Sequence, residues 1–210
     1  GNGAALITEP KTGQILAMVG SKDYFSNDID GKYNVTTALR QPGSSIKPIN
    51  YAIGIETGKI TAASVVNDEP TCFYQENQSN YCPTNYGNAY HGLQTIRNSL
   101  ANSLNVAAVK VLYLNGLENF VASASAMGLE TFKNASDYGL SLTLGGGEVK
   151  MTDMATAYGV LANMGIRQDL NPILKVEDKN GEVLEEYNYV PGERVLSRET
   201  GYIIQQILSD

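Results

Sequence analysis

The segment around Ser44 constrains the fold and chemistry of this chain more than any other. Ser44 and Lys47 are three residues apart, directly after a Gln-Pro-Gly run at 41–43, where apolar spacing predicts that a helix begins. Residues at this spacing share one helical face, so the Lys47 amine can reach the Ser44 hydroxyl. A serine is a strong nucleophile only when a base accepts its proton, and a lysine is such a base only when its pKa is lowered. The pattern therefore predicts a serine nucleophile, with an ordinary surface Ser and Lys in a first helical turn as the alternative.

A second polar motif consists of Ser103 and Asn105 around one leucine, between predicted helices at 93–101 and 106–114. We expect a short turn that faces a cleft. The hydroxyl of Ser103 could relay a proton, and the amide of Asn105 could hold a peptide carbonyl or Lys47. Helix capping by either residue is the alternative, because Ser and Asn are both favoured caps.

Three glycines at 145–147 precede a predicted helix at 151–163. A phosphate-binding loop would need Lys and Ser or Thr directly after the glycines, and Glu148 and Val149 stand there instead. We therefore expect tight backbone packing near a cleft and not a nucleotide site.

Composition limits the classes of partner. The net charge is −7 and the isoelectric point is about 4.8, so a basic surface for nucleic acid is not predicted. Hydrophobic residues make up 42% and charged residues 18% of the 210 positions, which is typical of one soluble domain or most of one. No apolar run reaches the roughly 18 residues that cross a bilayer.

The two cysteines, Cys72 and Cys82, lie in a polar, tyrosine-bearing loop. They lack the paired spacing of a structural zinc site, and the sole histidine, His91, is expected to be structural. Two free thiols are one interpretation. We favour a loop disulfide formed outside the cytoplasm, because exposed free thiols are reactive.

Turn residues and hydrophobic periodicity predict a mixed α/β domain with a helical middle and no internal repeat. The predicted elements are a hairpin at 4–8 and 14–19, a surface loop at 21–37, a loop at 67–92, helices at 44–56, 93–101, 106–114, 119–126 and 151–163, a second hairpin at 173–176 and 183–187 with a type I′ turn at Asn180-Gly181, and a last helix capped by Ser197 that ends near Leu208.

Four stretches, in the same order and over nearly the whole chain, resemble class A (bifunctional) penicillin-binding proteins. The nucleophile block is far more specific than the Ser-x-x-Lys spacing alone. The stretches are the first hairpin at 9–20, the nucleophile block at 40–48, the block at 101–109, and the stretch at 142–149 followed by Thr152, Asp153, Met154, Ala157 and Tyr158.

The resemblance implies an α/β (α+β type) fold that is β-lactamase/transpeptidase-like, with an antiparallel sheet flanked by helices and a helical subdomain. The family's Lys-Thr/Ser-Gly motif lies on a strand after the Ser-x-Asn motif, whereas the triplet at 11–13 precedes Ser44, so Lys11 is assigned to a hairpin turn. We therefore expect a single partial domain over 1–210 whose C-terminal sheet strands are missing. Either the chain is a truncated piece, or a separate chain supplies those strands.

By resemblance, the chain is expected to be a serine-type D-Ala-D-Ala transpeptidase that crosslinks peptidoglycan stem peptides. Ser44 would attack the penultimate carbonyl, and Lys47 would take its proton. Ser103 would pass a proton to the departing D-Ala, and Asn105 would hold the peptide. β-Lactam antibiotics would acylate the same serine. The resemblance implies no metal or organic cofactor, a location on the extracytoplasmic face of the bacterial cytoplasmic membrane, and membrane attachment only through a segment outside this chain.

Three other interpretations stay open. A class A β-lactamase shares the Ser-x-x-Lys chemistry but needs a glutamate that activates water, and Glu118 and Glu130 lack that family's Glu-x-x-Leu-Asn pattern. A D,D-carboxypeptidase would use water as the acceptor, and the nucleophile block argues against it. A catalytically incompetent scaffold or peptide-binding fragment is the interpretation from another class of protein.

Overall fold

The chain begins with a hairpin. The computed structural model describes all residues except 75–79. Strands β1 (Ala5–Thr8) and β2 (Ile15–Val19) pair antiparallel. Gly13 ends the turn with a φ of +73°, a conformation that residues with a side chain rarely adopt. The predicted first hairpin is confirmed, and Lys11 lies exposed in its turn.

The Ser44 segment is a tight turn that runs into a helix. Gly43–Ile46 form a 3₁₀ helix and Lys47–Glu56 form α1. Pro48 has no N–H to offer the Ser44 carbonyl, which accepts from the Lys47 N–H instead. The predicted helix is therefore in the right place, but its first turn is 3₁₀ because of this proline.

One strand pair departs from the prediction. Strand β3 (Val65–Asp68) pairs antiparallel with β4 (Gly92–Thr95). The loop predicted over 67–92 is therefore wrong at both ends, and its residues 75–79 lie outside the described structure. Both strands are short and far apart in the chain, so only their pairing distinguishes them from loop.

The helix predicted from residue 93 begins only at Ile96, as α2 (Ile96–Ala101). Thr95 is extended, and its hydroxyl accepts the Asn98 N–H at 3.1 Å. This cap fixes the helix start, so the residues before it are free to pair as a strand.

Cys72 and Cys82 form a disulfide, which confirms the favoured interpretation of the cysteines. Directly inside it, Phe73 and Tyr81 donate N–H groups to each other's carbonyls at 2.8 and 2.9 Å. The disulfide and these two hydrogen bonds join the ends of the segment 72–82, shortly before Asn85 in the chain.

The core lies where α1 packs against α3 (Asn105–Asn115), with α4 (Leu117–Ala126) packed on both. The buried amide of Asn115 donates to the side-chain oxygen and the carbonyl of Asn50, each at 2.9 Å, and ties the far end of α3 to α1. The helices predicted at 44–56, 106–114 and 119–126 are confirmed. Their ends differ from the prediction by at most two residues, except that residues 44–46 form a 3₁₀ helix.

The C-terminal part contains two helices and four short strands. They are α5 (Met151–Ala162), β5 (Ile166–Arg167), β6 (Lys175–Glu177), β7 (Val183–Glu186), β8 (Glu193–Arg194) and α6 (Arg198–Leu208). The Ser197 hydroxyl accepts the Thr200 N–H and caps α6, as predicted.

The predicted second hairpin is present as β6 with β7, but its turn is not type I′. That turn needs a positive φ at both central residues, and only Gly181 has one, at +85°. The Asp178 carboxylate accepts the N–H groups of Asn180 and Glu182, each at 2.8 Å. These side-chain bonds stabilise a longer turn that ends in the left-handed glycine.

The strands of the described residues pair two by two, as β1–β2, β3–β4, β5–β8 and β6–β7, and every pair is antiparallel. With the helical middle, this arrangement agrees with the predicted α+β class. In the same described part of the chain, no helix is long and apolar enough to span a bilayer.

Candidate active site

The Lys47 side chain is buried at the start of α1, with only 1% of its surface exposed. Its amine donates to the Ser103 carbonyl at 2.6 Å and to Asn105 Oδ1 at 2.7 Å, and it lies 3.0 Å from Ser103 Oγ. Among the described residues, no carboxylate forms an ion pair with this amine. Burial lowers the pKa of Lys47 from 10.5 to about 8. The structure thus brings together three of the four predicted site residues.

The contacts of Lys47 suit both protonation states of its amine. An ammonium group has three N–H bonds, whereas a neutral amine has two and one lone pair. The Ser103 carbonyl and Asn105 Oδ1 can only accept, so the neutral amine directs its two N–H bonds to them. Its lone pair then faces the Ser103 hydroxyl, which can donate. A proton can therefore pass between Lys47 and Ser103 without rearrangement.

Ser103 and Asn105 form a turn between α2 and α3, as predicted. Ser103 has a φ of +54°, which directs its carbonyl and its hydroxyl towards the same amine. The N-cap of α3 is Leu104, which has no side-chain cap bond, and Asn105 is the first residue of that helix. Neither side chain therefore caps a helix. The main chain of Ser103 does end α2, because in its left-handed conformation the N–H groups of Ser103 and Leu104 donate to the Leu100 and Ser99 carbonyls, each at 2.9 Å. The capping alternative thus holds for the backbone of Ser103 and not for its hydroxyl or for Asn105.

The Ser44 side chain is exposed in the 3₁₀ helix that leads into α1 and Lys47. Its hydroxyl makes no hydrogen bond to any described residue, so the expected contact with the Lys47 amine is not made here. The amine is instead bound to the Ser103 turn. The helix start nevertheless sets Ser44 one turn before Lys47, beside the free N–H groups that favour negative charge.

The fourth stretch of the resemblance, at 142–149 and 152–158, binds the Ser44 segment. Arg40 and Val149 exchange backbone hydrogen bonds of 2.9 Å in both directions. The Tyr158 hydroxyl donates to the Ser45 carbonyl at 2.8 Å. Segments that are far apart in the sequence therefore fix the position of the exposed serine.

The backbone of Gly145 also lies close to the Ser44 segment. Its φ is +90°, and a Cβ built on it would lie 2.5 Å from the Cα of Gly43, next to Ser44. No side chain fits between the two backbones. The expected tight backbone packing of the glycines is confirmed.

Two further residues of the site were not found from the sequence. Asn85 Oδ1 accepts the N–H groups of Asn105 and Val106, at 2.8 and 3.2 Å. The buried carboxylate of Asp68 in turn accepts from Asn85 Nδ2. Both lie within the predicted loop, where no local pattern marks them. One signal in the sequence indicates a remote acceptor. Leu104, the residue before α3, has no side-chain oxygen, so the first N–H groups of α3 need a hydrogen-bond partner from elsewhere in the chain.

His91 Nδ1 lies 2.9 Å from an oxygen of Asp68, and the His91 main-chain N–H donates to the same oxygen at 3.0 Å. No group of three His, Cys, Asp or Glu side chains is arranged to bind a metal within the described residues.

Known proteins match this chain at the level of the family. A family model described as penicillin binding protein transpeptidase domain matches residues 3–210. The chain belongs to this family. Penicillin-binding protein 1A of Aquifex aeolicus is 35% identical over 185 residues, which cover 88% of this chain and 24% of that protein. The chain therefore spans about a quarter of the length of this curated relative.

Solved structures have the same fold. The crystal structure of penicillin-binding protein 1A from Haemophilus influenzae superposes with a TM-score of 0.87 and 27% identity, over 99% of this chain and 34% of that one. The PonA1 protein of Mycobacterium tuberculosis, in complex with penicillin V, superposes with a TM-score of 0.82 and 20% identity, over 99% of this chain and 56% of that one. The resemblance to class A penicillin-binding proteins and the predicted fold class are confirmed.

Proposed function

We propose that this chain carries the acyl-transfer site of a serine-type D-Ala-D-Ala transpeptidase, which crosslinks peptidoglycan stem peptides through an ester on Ser44. The observation that carries the proposal is the buried Lys47 amine, bound to Ser103 and Asn105 one helical turn after an exposed serine. Membership of the transpeptidase family supports the reaction class.

In the first half of the proposed reaction, the Ser44 oxygen attacks the penultimate carbonyl carbon of the stem peptide. The lone pair of neutral Lys47 turns from the Ser103 hydroxyl to Ser44 and takes the hydroxyl proton. The peptide C–N bond then breaks as the Ser103 hydroxyl protonates the leaving amine of D-Ala. The proton on Lys47 replaces the one that Ser103 gave up, over the existing 3.0 Å contact. The stem peptide remains as an ester of Ser44.

In the second half, the amine of a neighbouring stem peptide attacks the ester carbonyl. Ser103 accepts one proton from this amine as it gives its own hydroxyl proton to Lys47. The ester C–O bond then breaks, and Lys47 passes that proton to the Ser44 oxygen. Asn105 Nδ2 donates one N–H to the Thr84 carbonyl at 2.9 Å, and its other N–H is directed to a peptide carbonyl of the substrate. No cofactor takes part in these steps.

A β-lactam would acylate Ser44 by the same attack and remain attached as the opened ring. The complex of PonA1 with penicillin V, a protein with the same fold, supports this part of the proposal. The relatives named penicillin-binding protein 1A support a location on the extracytoplasmic face of the cytoplasmic membrane, where peptidoglycan is assembled.

The first test is acylation by a fluorescent penicillin, mapped to a residue by mass spectrometry in the chain at its full natural length. We expect a label on Ser44, none in Ser44→Ala, and a normal label in Ser45→Ala. Ser45 is a matched control because it is the adjacent exposed serine. Absence of a label on the folded protein would overturn the proposal in favour of the scaffold interpretation.

A second measurement separates transpeptidase from D,D-carboxypeptidase. A stem peptide ending in D-Ala-D-Ala is incubated with and without a second amine, and the products are identified by mass. We expect an amide product that depends on the added amine and on Ser44. Hydrolysis alone, at all amine concentrations, would favour the carboxypeptidase.

A further inference from the structure

Asn85 acts as a cap for a helix to which it does not belong. Helix α3 begins after Leu104, whose side chain cannot accept a hydrogen bond. Asn85 Oδ1 supplies the missing acceptor to the N–H groups of Asn105 and Val106, 20 and 21 residues further along the chain. Only 6% of Asn85 is exposed, so water is largely kept from this position. The start of α3 therefore depends on where Asn85 is held.

Asp68 holds Asn85 in one orientation. Asn85 Nδ2 lies 2.8 and 2.9 Å from the two oxygens of the fully buried Asp68 carboxylate, and 2.9 Å from the Ala89 carbonyl. These partners only accept, so the amide nitrogen must face them and Oδ1 must face α3. His91 completes the carboxylate's partners through its main-chain N–H and its ring nitrogen. The orientation of Asn85 is thus fixed by charge-assisted hydrogen bonds.

The same loop also sets the orientation of Asn105. The Thr84 carbonyl accepts from Asn105 Nδ2 at 2.9 Å, so Asn105 Oδ1 must point the other way, towards Lys47. Asn105 is therefore held at its main chain by Asn85 and at its side chain by Thr84. A shift of this loop would move the acceptor that receives one N–H of Lys47.

We propose that Asn85, fixed by Asp68, is a positioning residue that holds the Ser103–Asn105 turn against Lys47. This inference rests on the proposed function, because the effect it names is on acyl transfer to Ser44. Asn85 touches neither the amine nor the reacting serine and acts through the start of α3 and through Asn105.

The test measures single-turnover acylation of the full natural chain by penicillin and separates the binding constant from the acylation rate constant. Asn85→Ala is expected to lower the rate constant by roughly ten- to a hundredfold, since small misplacements of reacting groups cost this much. The binding constant should change much less. Acylated protein is counted per folded molecule, with folding followed by circular dichroism.

Asn115→Ala is the matched control. It removes the same amide from the other end of α3, where Asn115 is also buried and bonded to α1. We expect a lower melting temperature and an acylation rate constant close to that of the unaltered chain. Equal losses of rate in Asn85→Ala and Asn115→Ala would reduce Asn85 to a general structural role and overturn the proposal.

An exchange of the two partners tests orientation directly. Asn85→Asp sets two carboxylates against each other and should lower the rate constant at least as much as Asn85→Ala. In the double variant with Asp68→Asn, the amide and the carboxylate have changed places, so the carboxylate now at position 85 could again accept from α3 and from the new amide. We expect the double variant to recover at least about tenfold over Asn85→Asp, incompletely because the bond to Ala89 is lost.

The outcomes separate the two proposals. If the unaltered chain is not acylated on Ser44, the proposed function falls and this inference falls with it. If the unaltered chain is acylated and folded Asn85→Ala is acylated at the same rate, only the positioning role falls. If Asn85→Ala does not fold, the exchange decides, and a double variant that acylates no faster than Asn85→Asp overturns the role.

Discussion

The Lys47 amine donates a 2.6 Å hydrogen bond to the main-chain carbonyl of Ser103, a residue whose φ is +54°. A residue with a side chain rarely adopts this backbone conformation, and here it allows one residue to offer both a carbonyl and a hydroxyl to one amine. A residue stays in such a conformation only where the surrounding contacts stabilise it, and residues of this kind often occur at functional sites.

Two replacements of Ser103 distinguish the effect of its backbone conformation on stability from the effect of its hydroxyl on acyl transfer. Both Ser103→Ala and Ser103→Gly should lose acyl transfer to a similar extent, because both lack the hydroxyl that exchanges a proton with Lys47. Ser103→Gly should unfold in urea with a free energy about 1 kcal/mol higher than Ser103→Ala, since glycine tolerates positive φ. Equal stabilities would contradict the left-handed conformation, and full activity in either variant would contradict the proton relay.

Acylation should depend on pH through Lys47. The amine accepts the Ser44 proton only when neutral, so the rate should rise as the pH rises through the Lys47 pKa of about 8. Lys47→Met should lower the rate by about 10²–10⁴-fold and remove this limb of the profile. Stopped-flow measurements with a fluorescent penicillin would show both effects. An unchanged limb in Lys47→Met would assign the base to another group.

The same buried amine should make stability depend on pH. In the unfolded chain Lys47 titrates near its usual 10.5, whereas in the folded chain it titrates near 8. Between these pH values the unfolded state binds more protons, so the free energy of unfolding rises with pH. Relative to Lys47→Met, the unaltered chain should gain up to about 3 kcal/mol from pH 8 to above pH 10.5, at roughly 1.4 kcal/mol per pKa unit. A difference that is flat with pH would show that the amine is solvated.

Gly145 should not tolerate a side chain, for two separate reasons. Gly145→Ala adds a methyl group against the backbone of Gly43 and also places alanine at a φ of +90°. Gly181→Ala is the matched control, because its φ is similar, +85°, and nothing lies within 4 Å of the added carbon. We expect a loss of about 1 kcal/mol for Gly181→Ala and of about 2–4 kcal/mol for Gly145→Ala. Acylation should fall only in the latter, and equal losses of stability would contradict the close approach.

Reduction of the Cys72–Cys82 disulfide should lower the melting temperature. A crosslink that closes a loop of this length stabilises a protein by about 2–3 kcal/mol through the unfolded state. The shift is measured by calorimetry with and without dithiothreitol. The double variant Cys72→Ser with Cys82→Ser should melt at the lower temperature and not respond to the reductant. Equal melting temperatures for oxidised and reduced protein would contradict a stabilising role.

Local patterns located the elements whose ends are set by neighbouring residues. Gly13 and its flanking turn residues predicted the first hairpin, and Ser197 predicted the start of the last helix. The predictions failed where a distant partner decides. The segment 93–95 has a composition compatible with a helix, yet it pairs with Val65–Asp68 as a strand. The second hairpin took a different turn because the Asp178 side chain binds the N–H groups of that turn.

By itself, the sequence determined the types of most elements, the Ser44 and Ser103 motifs and the family resemblance, because these depend on spacings within a few residues. The tertiary structure decided what surrounds Lys47. Its acceptors on Ser103 and Asn105 lie 56 and 58 residues away in the chain, and Asn85 caps α3 from 20 residues before Asn105. Burial of the amine, which lowers its pKa, also exists only in the packed protein. Hydrogen bonds over such separations form once helix packing brings the segments together, so no local pattern contains them.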